Sequence, residues 1–371
     1  MATTPGSDAR QRRSGVAING KYLASKQRSG VFRVADQLVR HMDRHLSRAI
    51  GAPGWQIVCP PDATDIPPLT AIETRIAGPL TWQVWEQCQL PLAARGQLLV
   101  SLANLAPIAH PRAITMVHDA QVFISPQSYS KPFAAWYQFA LPRIGAKAAK
   151  ILTVSEYSRR QLVEYGVAAY DRIAVLHNGA DHVLDVEPDP GVVLNLGLQP
   201  HTYVVAFSNT QAHKNLSVLF EAFRRPELAD VTLVLVGGTG ASDYAAAGMS
   251  PPDKVVYAGK IDDNRLRGLL EAAAALAFPS RTEGFGLPPL EAMTLGCPVV
   301  CAPCGALPEV CGDAAVYAGP DAPGEWATAL RGFVDSASLR EKYQALGLQN
   351  ASRFRWSDSA DRLIGLIEQH S

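Results

Sequence analysis

No run of about 18 apolar residues occurs in the 371-residue chain, so no transmembrane helix is expected. The opening stretch MATTPGSDARQRRSG has cations but no apolar core behind them, which argues against a secretory signal peptide. Residues 1–14 read as a disordered basic tail. A cytoplasmic location is therefore expected, with peripheral contact at the inner face of a membrane as the one membrane role in view. The formal net charge is zero, and no nucleic-acid partner is expected. Cysteine is scarce, at six residues. Four of them, Cys297, Cys301, Cys304 and Cys311, cluster around a single C-x-x-C. A structural zinc site usually pairs two such knuckles, so these read as packed, reduced thiols.

What the chain has in quantity is apolar residues, 47% of the total, in the proportions of a soluble α/β protein. Its length favours about two domains. The zero balance also hides a split. Residues 1–150 carry 17 Lys+Arg against 8 Asp+Glu, and the other 221 carry 17 against 26. A first half at +9 points to an anionic partner such as a phosphate-bearing substrate or a membrane surface.

Short β-branched runs alternate with amphipathic stretches, the pattern of parallel sheets with crossover helices. GVAING (15–20), WQIVCP, QLLVSL, AITMVHD, KILTVSE and 174–179 read as strands of a first unit, with helices over 31–42, 133–145 and 155–165. The acidic, proline-containing 183–200 reads as a linker. The pattern then restarts with YVVAFS, VTLVLVGG, KVVYAG, ALAFPS, PVVCA and AAVYA as strands. The expected division is a tail over 1–14, one doubly wound domain over 15–182, a second over 201–350, and a last helix within 351–371 returning toward the first domain. Two such units imply a cleft, and ligands bind outside the carboxyl ends of the strands.

The segment Glu283-Gly-Phe-Gly-Leu-Pro-Pro-Leu-Glu291 is the most informative. Glu283 follows a strand, the prolines suit a first helical turn, and Gly296 stops that helix. Glycine lets backbone N–H groups approach a ligand, and a helix N-terminus favours an anion. A phosphate cradle bracketed by two carboxylates suits a ligand with a sugar at each end, because carboxylates accept hydrogen bonds from hydroxyls but repel phosphates. A nucleotide sugar fits.

This segment resembles the E-x₇-E motif of the family 4 retaining glycosyltransferases, which have the GT-B fold. Ser29-Gly-Val-Phe-Arg33, Val117-His-Asp119, Thr153-Val-Ser-Glu-Tyr-Ser158, His177-Asn-Gly-Ala-Asp181, His213-Lys-Asn215 and residues 296–317 resemble further family segments. Asn209 stands where the family often has Arg or Thr, and His213 where Arg or Glu is commoner. The resemblance implies that Lys214 and the backbone of Gly284, Phe285, Gly286 and Leu287 hold the diphosphate. It also implies that Glu283 binds the hexose, Glu291 the ribose, and His118 the donor sugar near its reacting carbon. Gly30 and Arg33 fall on the donor-side loop, Asn209 on the phosphate side, and Ile261 near the base. His118, Glu283 and Lys214 are the catalytic candidates. No D-x-D pair follows a strand where a metal-bridged diphosphate would need one, so no metal or other cofactor is expected.

Among family members the segments look most like bacterial mannosyltransferases of surface polysaccharide assembly. GDP-mannose is then the first expected donor, and a polyprenyl-diphosphate-linked or other glycan the acceptor. UDP- or dTDP-sugar donors, or a nucleotide-sugar epimerase of similar fold, are the alternatives.

Overall fold

The computed structural model describes residues 15–25, 29–48 and 54–371. The tail expected at 1–14 lies outside the described residues. The first lobe is a seven-stranded sheet of β1 (Val16–Asn19), β2 (Trp55–Cys59), β3 (Ile72–Ile76), β4 (Leu98–Ser101), β5 (Ala113–Met116), β6 (Lys150–Thr153) and β7 (Ile173–Val175). Its order is β3-β2-β1-β4-β5-β6-β7. The second lobe is a six-stranded sheet of β8 (Tyr203–Phe207), β9 (Thr232–Val236), β10 (Val255–Gly259), β11 (Ala275–Phe278), β12 (Val299–Cys301) and β13 (Ala315–Tyr317). Its order is β10-β9-β8-β11-β12-β13. All the pairings are parallel. Each sheet therefore reverses its winding once, between β1 and β4 and between β8 and β11, and such reversals open a crevice at the strands' carboxyl ends.

Helices cover both faces, so central strands such as β1, β4, β5 and β11 are buried along their whole length. The edge strand β3 departs from that rule. Its IETRI sequence buries only Ile72, and no apolar run marks it as a strand. The segment expected as a linker is also partly folded. Helix Gly191–Asn195 buries Val192 and Val193, and Asp189 N–H donates to Asn264 O at 3.0 Å.

The helix Gly30–Leu46 is capped by Ser29, whose hydroxyl accepts from Phe32 N–H, and it buries Val34, Ala35, Leu38, Val39 and Met42. The last helix, Trp356–His370, lies against it. His45 Nδ1 is 2.7 Å from Asp361 Oδ1, and Arg112 Nη2 donates to His370 O at 2.9 Å. The chain thus ends on the lobe where it began. Cys297, Cys301 and Cys311 serve as small buried core side chains, and burial pushes the Cys297 thiol up to about 12. No described helix is long and apolar enough to cross a membrane.

Candidate active site

The loops after β8 and β11 meet at the winding reversal of the second sheet. After β8 the chain makes a short turn, Ala212–Lys214, and Asn215 follows in the left-handed region at φ 55°. Asn tolerates that conformation better than most residues. The buried Asn215 amide donates to Pro279 O (3.2 Å) and Pro320 O (2.8 Å), clamping its loop to those after β11 and β13. This sets Lys214 so that its Nζ lies 2.7 Å from Glu283 Oε1, with the two side chains 29% and 15% exposed. Lys214 and Glu283 are therefore brought together as one ion pair.

Gly284 sits against the first lobe. Its carbonyl accepts from Ser155 Oγ (2.6 Å) and Ser158 Oγ (3.0 Å). A Cβ there would lie 2.7 Å from Asp119 Cβ and 3.0 Å from His118 O. At this glycine the other lobe comes too close for a side chain. Gly286, at φ +97°, precedes the helix Leu287–Thr294. A Cβ on Gly286 would meet Leu307 at 2.6 Å. The Phe285 ring is buried, 5.8 Å from Phe354 and 6.2 Å from His177. Gly30 stands opposite, where a Cβ would meet Leu287 Cδ1 at an ordinary 3.7 Å. Gly30 and Leu287, the first residues of the helices Gly30–Leu46 and Leu287–Thr294, are thus neighbours across the lobes.

Glu291 is nearly buried, with Oε1 3.1 Å from His182 Nε2. That ring nitrogen is close but not aimed at the oxygen, and it has no hydrogen-bond partner. Nδ1 of His182 accepts from the Trp356 indole at 3.0 Å. Arg33 Nη2 donates to Asp263 Oδ1 at 2.9 Å, across the lobes. Burial works against the Arg33 charge, but the Glu291 and Asp263 carboxylates outweigh it and the net pKa is raised. Glu291, Arg33, Asp263 and Leu266 line one small cavity. Half-buried Ile261 follows β10 nearby. Asn209 Oδ1 accepts from Gln211 N–H at 2.7 Å, so its side chain shapes its own loop.

His118 is buried at the end of β5, and Nε2 lies 2.9 Å from Leu102 O. Burial pushes its pKa down to about 4, so the imidazole is neutral at pH 7. Because a carbonyl only accepts, Nε2 carries the proton and Nδ1 is the acceptor. Neighbouring Asp119 is raised by burial and by the charge of Glu283.

Sequence reasoning assigned no role to Ser155, Ser158, His182 or Glu309. Glu309 accepts from the N–H groups of Glu156 (2.8 Å) and Tyr157 (3.1 Å), so a carboxylate of the second lobe caps a helix of the first. Only the serine spacing in Thr153–Ser158 hinted at any of these contacts. Among the described residues no group of three or more His, Cys, Asp or Glu is arranged to hold a metal ion.

Solved structures with this architecture include a sucrose-phosphate synthase from Thermosynechococcus elongatus (TM-score 0.73, 17% identity, covering 96% of this chain and 99% of that one). They also include WaaG, a glycosyltransferase involved in lipopolysaccharide biosynthesis (0.69, 14%, 95% and 99%). The fold is GT-B, and the chain is a glycosyltransferase. Residues 201–336 match the profile "Glycosyl transferases group 1" and residues 92–184 match "Glycosyltransferase Family 4". The O-antigen chain mannosyltransferase B of Escherichia coli is 30% identical over 263 residues, 68% of this chain and 69% of that protein. A D-inositol 3-phosphate glycosyltransferase of Mycolicibacterium gilvum is 29% identical over 274 residues, 68% and 60%. The chain belongs to glycosyltransferase family 4.

Proposed function

We propose that the protein transfers mannose from GDP-mannose, with retained configuration, to a lipid-linked or other glycan acceptor in surface polysaccharide synthesis. One observation carries the reading: Lys214 is paired with Glu283 in the loop that leads into the helix Leu287–Thr294, whose first residue neighbours Gly30, the first residue of the helix Gly30–Leu46. Together they make a cradle for a diphosphate. As the bond from the sugar's C1 to the phosphate oxygen breaks, negative charge grows on the departing diphosphate, where Lys214 and the helix ends stabilise it. Glu283 then accepts hydrogen bonds from the hexose hydroxyls while remaining paired with Lys214. Glu291 accepts from the ribose, and neutral His118 presents Nδ1 as an acceptor.

The choice of mannose rests on the O-antigen mannosyltransferase relatives. The lipid-linked acceptor is supported by the basic first half and by exposed Leu80, Trp82, Val84 and Leu92 on the first lobe. With Lys214 and helix ends at the cradle, the reading assigns no divalent cation to the diphosphate.

A thermal-shift panel of GDP, UDP, dTDP and ADP tests the donor, since a ligand at 100 times its Kd stabilises by about 2.7 kcal/mol. GDP should raise Tm most, and transfer from GDP-mannose should persist in excess EDTA. A flat response to all four nucleotides refutes the donor site, a larger shift with UDP or dTDP refutes GDP, and activity lost to EDTA and restored by Mg²⁺ refutes metal independence.

A further inference from the structure

Beside Glu291 lies a histidine with no part in the chemistry described so far. His182 stands on a single helical turn, Asp181–Asp185, where the chain leaves the first lobe. Its side chain is 5% exposed, and Nε2 lies 3.1 Å from Glu291 Oε1.

This imidazole is held from both sides. The fully buried Trp356 indole, on the last helix, donates to Nδ1 at 3.0 Å. The Trp356 backbone N–H donates to Asp181 Oδ1 at 2.9 Å, so the residue before His182 is tied to the same helix start. From the second lobe, Arg267 Nη1 donates to Val183 O (3.4 Å), Leu184 O (3.2 Å) and Val186 O (2.5 Å), which clamps the residues that follow. An indole N–H only donates, so Nδ1 must accept and the ring proton sits on Nε2. The donor turned toward Glu291 is thus set by a residue 174 positions away in the chain.

That donor is unsatisfied. Among the described residues the buried Nε2 has no hydrogen-bond partner. A buried N–H without an acceptor is costly, and native proteins keep few of them without cause. Glu291 Oε1 is close enough and lacks only direction, which rotation of the carboxylate about its last side-chain bond supplies. With Oε1 turned onto the His182 N–H, Oε2 remains as an acceptor for a ligand in the cavity that Glu291 lines with Arg33, Asp263 and Leu266. A carboxylate held by one oxygen keeps a fixed plane, and a fixed plane suits the two adjacent hydroxyls of a ribose. Site residues are held this way by a supporting shell of hydrogen bonds.

We propose that His182 is a positioning residue for Glu291: its Nε2–H, oriented by Trp356, takes one carboxylate oxygen when a nucleotide binds and fixes the other toward the ribose hydroxyls. The proposal rests on the reading of Glu291 as the ribose acceptor given above. It carries nucleotide recognition back to the start of the last helix.

The test is titration calorimetry of the full chain with GDP and 2′,3′-dideoxy-GDP, and with UDP and 2′,3′-dideoxy-UDP. Each pair differs only in the hydroxyls assigned to Glu291. His182→Asn keeps an acceptor near the indole and removes the donor toward Glu291, whereas His182→Gln restores a donor where Nε2 lies. His182→Asn should weaken the tighter-binding ribonucleotide about tenfold, the worth of one hydrogen bond of about 1.4 kcal/mol, and leave its dideoxy analogue unchanged. His182→Gln should recover most of that loss, and in a Glu291→Ala background His182→Asn should have no further effect. A loss shared equally by the dideoxy analogue, no loss at all, or a loss that persists unchanged in His182→Gln would overturn the proposal. If His182→Asn does not fold, NMR of the wild type with nitrogen-15 histidine decides. The His182 Nε2–H resonance should move downfield with the ribonucleotide and not with its dideoxy analogue, and equal movement or none would overturn the proposal. A wild type that binds no nucleotide refutes the donor site itself, whereas a binding wild type with a silent His182→Asn refutes only the role of His182.

Discussion

Replacing Lys214 by alanine removes one cation from two partners at once, and the structure shows how to separate them. Lys214 Nζ is 2.7 Å from Glu283 Oε1, and the Glu283 side chain is only 15% exposed. If the lysine holds the donor diphosphate, Lys214→Ala loses a charge-assisted hydrogen bond of roughly 1.5–3 kcal/mol, or about ten- to a hundredfold in GDP affinity. It also leaves a mostly buried carboxylate without its cation, at a cost of roughly 1–3 kcal/mol in stability. That corresponds to a fall in Tm of about 2–4 °C per kcal/mol for a lobe of this size. Glu283→Gln supplies the second leg of the cycle, because the amide keeps the shape and removes the charge. In the double variant Tm should recover, since no carboxylate is left unpaired, while GDP affinity measured by titration calorimetry stays low. Recovery of affinity together with Tm would refute the phosphate role, because Lys214 would then act only by neutralising Glu283.

Two further outcomes follow from the contacts between the lobes and from burial at the first strand ends. Gly284→Ala places a Cβ 2.7 Å from Asp119 Cβ, so the lobes must part. A loss of roughly 1–3 kcal/mol in stability and a clear fall in kcat/KM are expected, while Gly30→Ala, with only a 3.7 Å contact to Leu287, should leave stability nearly unchanged; an active Gly284→Ala enzyme would show that the close approach has no functional weight. His118 is held near pKa 4 in the fold against about 6.5 unfolded, so the unfolded chain binds the extra proton and stability falls as pH drops from about 6.5 to 4. That loss is at most about 3 kcal/mol, and His118→Gln should flatten this part of a Tm-versus-pH profile; an unchanged slope would rule out His118 as its source.

The two lobes and their central strands could be read from the sequence because a strand buried on both faces must be a continuous apolar run, as in LLVS and ALAF. β3 escaped because an edge strand needs no such run, and IETRI is mostly polar. In the 183–200 segment the acidic, proline-containing start hid a short helix whose Val192 and Val193 pack like core residues. Lys214 and Glu283 stand out in the sequence because each lies in a loop after a strand within a recognisable local pattern, and the structure sets their side chains 2.7 Å apart. What Gly284 touches was not. Its partners Ser155 and Ser158 lie 129 and 126 residues away, and His182 lies far from Glu291 in the chain. Only the folding of one lobe onto the other creates these contacts, and no local spacing encodes them.

The return of the last helix to the first lobe separates covalent order from spatial order. Two stretches of chain cross between the lobes at one place. Ala180 N–H donates to Phe354 O at 3.1 Å, Trp356 N–H to Asp181 Oδ1 at 2.9 Å, and a Cβ on Gly179 would lie 2.3 Å from Trp356 N. Side by side, these crossings are tied to each other by hydrogen bonds from backbone N–H groups. They also make the first lobe discontinuous in the gene. A single recombination event in the 183–200 region would join a new second lobe to a foreign final helix, and that helix would have to fit the Val34–Met42 face of the old first lobe. Exchanging the second lobe as a module therefore takes two crossovers, one on each side of it, or a final helix already compatible with both parents.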